Sequence, residues 1–548
     1  MTRAERAPGI WLFGPAADML WGAGLAYVFV FSILMVAGGL VMSVLPTWLM
    51  MFLVVLVSLP HYGATLLRAY EKEEDRRLYR LFSIYTTGAL VLFFLWGIRD
   101  IRVGSILFTI YLTWSPWHYT AQNYGVALMF LGRRGIEVDP RMKRLLRLSL
   151  LLSFWISFLY MNGPSSYSPF RGTHVQFLSL ALPALPADVI MFASLLLYGV
   201  TTFLLVAALA RKGLRSSAPA IGLLLTQFVW FVLPSAVKNW LPYGGPPIFG
   251  AGYDQYAFTW IVLGHAAQYL WITAYFARAT GRVSSTASFY GRAVVCGCVL
   301  WALPLFLFAP GLLGRLPFDG GLASVTAAVV NLHHFLLDGA IWKLRRSRVG
   351  GVLLSPNRAT VDPGARAALP LARPLVAAGL VSLAVLFFGL AEEEFGLARR
   401  LNRGDIAGAE SSLDRLAWIG RDSANTRAQL GARRMRDGDP RAAERQLEIG
   451  VKVFPTASGW IHLGEARASQ GKSRGSMEAY GEALVLEPGN VTVKLLLALA
   501  HADLGETSEA QALLNECDRR DADTPAMRNL RERLEGVLGT PPVLRSGA

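Results

Sequence analysis

Five of the eight histidines in this 548-residue chain lie inside hydrophobic stretches. They are His61, His118, His265, His333 and His334. A charged side chain at the centre of a membrane costs about 2.5–3.5 kcal/mol on insertion scales, so ionisable groups at such positions are candidates for function by default. Neutral imidazoles together with a carboxylate are ligands that iron, copper and zinc accept. The five histidines are therefore predicted to hold a metal ion, with non-haem iron as the first choice and copper or zinc as alternatives.

Polar residues follow three of these histidines at helical spacing. Residues three or four apart are neighbours on the surface of a helix, and a metal-bound imidazole usually donates its second ring N–H to a carboxylate, an amide or a carbonyl. We therefore expect two amides and one carboxylate to be the catalytic residues of the site. The pairs are His118 with Gln122, His265 with Gln268, and His334 with Asp338.

The hydrophobicity of the chain decides which elements carry these residues. The chain is 53% apolar and 17% charged, whereas soluble domains carry about 25% charged residues. A helix that is apolar all round for about twenty residues matches the hydrocarbon core of a membrane. The sequence therefore predicts an all-α polytopic membrane bundle of about eleven helices. They are expected near residues 16–42, 46–67, 81–98, 104–131, 145–161, 187–210, 217–241, 255–277, 289–309, 321–342 and 373–391.

Basic residues distinguish the two sides of this predicted bundle. The formal charge is +15, but residues 392–548 carry 22 basic and 24 acidic side chains, so the excess lies in the membrane half. Alternate loops hold 26 basic residues on the side of the N-terminus and five on the other side. This asymmetry follows the positive-inside rule and argues against a nucleic-acid partner. The N-terminus is expected in the cytoplasm of a bacterium and the C-terminal part in the periplasm, although one helix more or fewer would reverse the latter.

The same topology places the histidines at one level of the inner membrane. They lie on the second, fourth, eighth and tenth predicted helices, which all run toward the cytoplasm. At 1.5 Å per residue their depths agree within about 10 Å, so their side chains are expected to meet. Arg68, seven residues after His61, is expected to be a lipid-facing anchor at the cytoplasmic end.

Small residues recur with a period of 33 or 34 residues in the C-terminal part. Gly431 recurs as Gly464, and Pro455 as Pro488; such a period indicates stacked helix pairs. The best copy contains Trp460, Leu463, Gly464, Gly471, Tyr480, Ala483, Leu484 and Pro488. This pattern resembles the tetratricopeptide repeat over about residues 394–524. The resemblance implies an α-solenoid that binds a peptide or a partner protein along its concave face.

We therefore divide the chain into a polytopic transmembrane domain over residues 1–391, a tetratricopeptide-repeat domain over 392–535 and a disordered tail over 536–548. The first helix of the repeats, EEEFGLARRLNR, is expected to continue from the last membrane helix.

The local strings around the histidines are LPHYGATLLRAY, SPWHYTAQNYG, LGHAAQYLW and VNLHHFLLDGAIWK. They resemble a group of uncharacterised bacterial polytopic proteins. Their arrangement is also similar in outline to the membrane dioxygenases that cleave carotene to retinal, whose histidines from several spans hold non-haem iron. That resemblance implies His61, His118, His265 and either His333 or His334 as ligands. The chain departs from membrane desaturases, because it has no HxxxH or HxxHH series.

Three functions remain open from the sequence. The first is a metal-dependent membrane enzyme that oxidises a lipid or isoprenoid substrate. The second is a non-catalytic membrane scaffold that recruits partner proteins through its repeats. The third is a lipid-linked glycosyltransferase, since protein mannosyltransferases also combine many spans with external repeats. Those enzymes need an acidic residue in the first external loop, and here that loop, SVLPT, has none.

Overall fold

The computed structural model describes most of the chain, and the described residues form helices without a β-strand. One isolated bridge joins Pro310 and Gly314. The description leaves out residues 1–9, 34–46, 72, 164–173, 241–252, 345–346, 355–372, 518–523 and 540–548. Part of the first predicted helix, most of the SVLPT loop and residues 540–548 of the predicted tail therefore lie outside the described residues.

The chain forms two compact units. One comprises residues 1–306 and 323–391, and the other comprises 307–322 and 392–548. The helices that lie wholly or largely in the first unit are α1 Pro15–Gly22, α2 Leu25–Ile33, α3 Met51–Tyr70, α4 Glu73–Leu78, α5 Leu81–Gly97, α6 Ile101–Arg133, α7 Pro140–Met161, α8 Ala184–Arg211, α9 Leu214–Ala236, α10 Tyr253–Ala279, α11 Thr286–Leu307, α12 Phe318–Ile341, α13 Ser347–Leu354 and α14 Arg373–Arg403.

Seven of the described helices are long and apolar enough to cross a membrane, or eight if the bent pair α1 and α2 is counted as one span. They are α3, α7, α8, α9, α11, α12 and α14. The predicted count of about eleven is therefore not confirmed. The long helices α6 and α10 are not among the seven, and they carry His118, Gln122, His265 and Gln268. His61, His334 and Asp338, in contrast, lie on α3 and α12, which are among the seven.

Helix α3 is irregular immediately before its histidine. Residues Val54–Ser58 form a π-helical segment, a feature that occurs often at functional sites. Pro60 follows and lacks the N–H that would bond the Leu56 carbonyl, and the hydroxyl of Tyr290 from α11 donates to that carbonyl instead. Close packing against α11 holds this part of α3, because a Cβ atom at Gly63 would overlap the backbone of α11.

The second unit is a stack of helix pairs. Its helices after α14 are α15 Ile406–Trp418, α16 Ala424–Arg436, α17 Pro440–Val453, α18 Ala457–Ala468, α19 Ser473–Leu486, α20 Val491–Asp503, α21 Thr507–Asn515 and α22 Pro525–Val537. The turns within the pairs contain Gly438, Gly471 and Gly505, each with φ between 72° and 82°, a conformation that favours glycine. Gly464 lies so close to Tyr480 that a Cβ atom there would overlap the ring. The repeating small residues therefore have the structural roles that the period predicts.

Two further features complete this unit. As predicted, α14 is one continuous helix of 31 residues from Arg373 to Arg403. The segment Leu307–Leu322 belongs to the same unit as the repeats. Within it, Asp319 accepts a hydrogen bond from the Ser423 hydroxyl, and the Phe318 ring lies 4.2 Å from the guanidinium of Arg421.

Candidate metal centre

Four of the five predicted histidines converge in the first unit. The donor atoms of His61, His265 and His334 all lie within 4.8 Å of one another, and so do those of His118, His334 and Asp338. The four histidines and Asp338 are all buried. His334 belongs to both groups, so α3, α6, α10 and α12 contribute to one cluster.

The hydrogen bond of His61 determines which of its nitrogens is free. Its Nδ1 lies 2.8 Å from the carbonyl oxygen of Ser58. A carbonyl oxygen only accepts hydrogen bonds, so Nδ1 carries the proton. In the neutral ring, Nε2 therefore presents a lone pair to the cluster.

Two hydroxyl groups determine which ring nitrogen of His334 carries the proton. With Asp338 ionised, the Tyr269 hydroxyl donates to its Oδ1 at 2.7 Å, so the Tyr269 oxygen accepts from the Thr65 hydroxyl, which lies 2.7 Å away. The Thr65 oxygen then accepts from Nδ1 of His334 at 2.8 Å. The Nε2 atom of a neutral His334 is therefore also unprotonated.

These two lone pairs face each other. Nε2 of His61 and Nε2 of His334 are 3.0 Å apart. Neutral rings in these tautomers cannot hydrogen-bond to one another, whereas both nitrogens can bind one cation. Metal–imidazole bonds of about 2.1 Å place two ligands at right angles about 3 Å apart. The separation therefore fits two neighbouring ligands of a single ion.

Other imidazole nitrogens in the cluster have no hydrogen-bond partner among the described residues. These are both ring nitrogens of His265 and Nε2 of His118. A buried polar group without a partner costs about 1–3 kcal/mol. His265 is held by the Tyr119 ring, which stacks on it with centroids 4.0 Å apart. A bound cation would give these unpaired nitrogens a partner.

Asp338 supplies the carboxylate of the cluster. Its Oδ2 lies 3.8 Å from Nε2 of His118 and 3.6 Å from Nε2 of His334. Since Tyr269 holds the other oxygen, Oδ2 is the atom available to a cation. Four imidazoles with one carboxylate are donors that iron, copper and zinc accept.

An aromatic cavity of about 320 Å³ adjoins the cluster. Its wall on α6 extends from Trp114 to Met129, about 22 Å at the rise of a helix. Only His118 and Asp338 of the five clustered residues line it. Most of the other lining residues are apolar, including Trp114, Trp117, Ile272, Phe335 and Trp342. A molecule in this cavity would therefore meet the cluster at these two side chains.

The structure does not bring His333 into the cluster. Its Nε2 lies 3.0 Å from the Tyr70 hydroxyl and 3.0 Å from the Thr87 hydroxyl, and its ring stacks on Tyr70. Consecutive helical residues point about 100° apart, so His333 and His334 cannot both face one ion. His334 faces the cluster, and His333 does not belong to the set of candidate ligands.

The two predicted amides bond to each other. Nε2 of Gln122 donates to Oε1 of Gln268 at 2.5 Å, and Nε2 of Gln268 donates to the Gly22 carbonyl at 2.8 Å and to Asn123 at 3.1 Å. Both ring nitrogens of His265 lack a hydrogen bond, so Gln268 does not orient that ring. Gln122 does line the cavity. The amides thus link α6, α10 and α1 and do not support the imidazoles as predicted.

The sequence reasoning missed Thr65 and Tyr269, the residues that orient His334 and Asp338. Each lies four residues after a clustered histidine on the same helix, His61 and His265 respectively. The spacing rule that selected the amides would also have found them.

The prediction that Arg68 is a lipid-facing anchor is wrong. It is 5% exposed, and its guanidinium lies 3.0 Å from Asp75. Arg282, from the segment after α10, also contacts Asp75, at 2.5 Å. Burial alone would raise the pKa of Asp75, but the two guanidinium groups lower it below its ordinary value. The arginines serve here to join chain segments at the end of the bundle.

The comparison with protein families agrees with the repeat architecture. Residues 467–534 match the family model of the tetratricopeptide repeat. No curated protein and no solved structure matches the chain. The C-terminal unit therefore contains tetratricopeptide repeats.

Proposed function

We propose that the protein is a metal-dependent membrane enzyme that oxidises a lipid or isoprenoid chain, with dioxygen as the oxidant. The ion is held by His61, His118, His265 and His334, with Asp338 as the carboxylate ligand. Non-haem iron is the first choice, and copper or zinc would accept the same donors. When bound, the metal supplies the redox or Lewis-acid chemistry.

The observation that carries this proposal is the pair of facing lone pairs on His61 and His334, 3.0 Å apart. Their outer nitrogens are committed to Ser58 and Thr65, so a cation is the partner that satisfies both rings without charging either. The apolar cavity beside His118 and Asp338 supports an apolar substrate. Polar side chains there are few, which suits a hydrocarbon better than a sugar phosphate.

The repeats support a second function, the docking of a protein or peptide partner. This is the usual role of tetratricopeptide repeats, and it accompanies catalysis in our proposal. A scaffold without catalysis is the alternative that the repeats alone favour. The two differ in one property, because a scaffold does not need an ion among its histidines.

We place the protein in the inner membrane of a bacterium, with its N-terminus in the cytoplasm and its repeats in the periplasm. The distribution of basic residues between the loops supports this orientation.

Adjacent histidines on α12 provide a matched test of the metal site. The full-length protein, its His334→Ala variant and its His333→Ala variant would be purified in parallel and analysed for bound metals. We expect about one ion per chain in the parent and in His333→Ala, and at least a tenfold loss in His334→Ala. His118→Ala is expected to behave like His334→Ala.

Thermal unfolding of each variant separates ligand loss from misfolding. A parent protein without metal, or equal metal loads in the variants at 333 and 334, contradicts the proposal. In either case the scaffold becomes the better interpretation.

A further inference from the structure

Two small residues that line the aromatic cavity are exposed, Ala121 on α6 and Gly339 on α12. We infer that the cavity opens to the outside of the helix bundle between them. Ala121 lies one helical turn after His118, and Gly339 directly follows Asp338. The opening is therefore within about one helical turn of the two clustered side chains that line the cavity.

Two glycines keep this passage wide. A Cβ atom added at Gly125 or Gly339 would meet no described atom within 4 Å, so neither glycine is required by close packing. Neither has a positive φ. Glycine inside a helix is unfavourable relative to alanine, and an interior glycine usually has a packing or functional reason. Packing does not require glycine at either position, and both glycines line the cavity, so the missing side chains leave the cavity wider there.

The surroundings determine which ligand suits this cavity. Trp117, Phe335 and Trp342 line the cavity with aromatic surface. α12 is one of the helices apolar enough to span a membrane, and Gly339 lies two residues before its end at Ile341. In our proposed function, the opening therefore adjoins the bilayer near the end of this span. We propose that the gap at Ala121 and Gly339 is a lateral entrance through which one hydrocarbon chain of a membrane lipid enters from the bilayer and reaches His118 and Asp338.

This entrance makes Gly125 and Gly339 specificity-determining residues. Gly339 lies at the mouth, where a larger side chain would close the entrance. Gly125 lies seven residues beyond His118 on α6, about 10 Å further along the cavity. A larger side chain there would shorten the space for the chain beyond the metal. The inference rests on the proposed function for the reaction that follows entry, but the binding step can be measured without it.

The test uses the purified full-length protein in lipid nanodiscs and cis-parinaric acid, a fluorescent polyene fatty acid, as the probe. We expect saturable binding by the parent, at least tenfold weaker binding by Gly339→Phe and a smaller loss in Gly339→Ala. The matched control is Gly199→Phe on α8, where the glycine is also exposed and its Cβ position is also open. That control is expected to bind like the parent, and the metal content of all four proteins is expected to be equal.

A graded loss with side-chain size, at constant metal content and unchanged melting temperature, supports the entrance and excludes misfolding as the cause. Parental binding by Gly339→Phe, an equal loss in Gly199→Phe, or a parent that does not bind the probe overturns it. If the purified protein contains no metal but binds the probe, and Gly339→Phe blocks that binding, the entrance is supported and the proposed enzymatic function is contradicted. Metal without selective binding overturns the entrance alone.

Discussion

The orientation of His334 depends on two hydroxyl groups outside its own helix. Thr65 accepts from its Nδ1 and Tyr269 links Thr65 to Asp338. Such outer partners fix the tautomer of a metal ligand, and their loss typically lowers metal affinity 10–100-fold. The geometry of the centre therefore depends on residues that do not touch the ion.

We predict that Tyr269→Phe lowers metal affinity about tenfold, because Asp338 and Thr65 lose their common partner. Competition with a chelator of known affinity measures the change. Tyr70→Phe is the matched control, since Tyr70 makes a similar contact to His333, outside the cluster. Unchanged affinity in Tyr269→Phe, or an equal loss in Tyr70→Phe, would remove Tyr269 from this role.

At the scale of elements, an ion-pair network joins two successive repeats. Arg467 from α18 contacts Glu444 and Glu448 on α17 at 3.1 and 2.8 Å, and Lys472 contacts Glu444 at 2.5 Å. Burial raises the pKa of Glu444, but hydrogen bonds from Lys472, Gln470 and Arg467 outweigh it and lower the pKa. The network therefore stabilises the ionised carboxylate.

This gives a pH dependence with a definite sign. The stabilisation is complete above the pKa of Glu in the unfolded chain, about 4.3, and is lost as the pH falls through the lower pKa of the folded protein. We predict that Glu444→Gln costs about 1 kcal/mol at pH 7 and that its difference from the parent shrinks toward pH 3. Thermal unfolding of the repeats at several pH values measures this. A difference that grows on acidification would contradict it.

The sequence predicted which helices pair in the repeats and which helices carry the cluster. The incorrect predictions concern side chains whose position depends on how one helix is rotated relative to another. The repeat period predicted the helix pairs, and the shared depth of the histidines predicted which helices meet. The choice between His333 and His334 needs the rotation of α12 relative to its neighbours, which periodicity along one helix does not contain. The pairing of Gln122 with Gln268 depends on the same relation between helices. The cavity also escaped prediction, because it is space that surrounding side chains leave empty.

At the scale of the whole molecule, the account predicts opposite membrane sides for the repeats and for the turn between α8 and α9. The native cysteines are buried, so introduced cysteines can report on each side. We expect Val485→Cys in the repeats to react with an impermeant maleimide in spheroplasts, and Ser216→Cys after α8 to react only after lysis. Both positions are exposed in the folded chain. The reverse pattern, or labelling of both on one side, contradicts the proposed orientation.

The most direct measurement of the central claim is X-ray absorption spectroscopy at the metal edge of the purified parent protein. We predict one ion per chain with a first shell of nitrogen and oxygen at about 2.1 Å and the outer-shell scattering of several imidazoles. The same protein with His334→Ala is expected to lose that signal. A parent without a metal edge, or with a first shell that lacks imidazole scattering, would contradict the account.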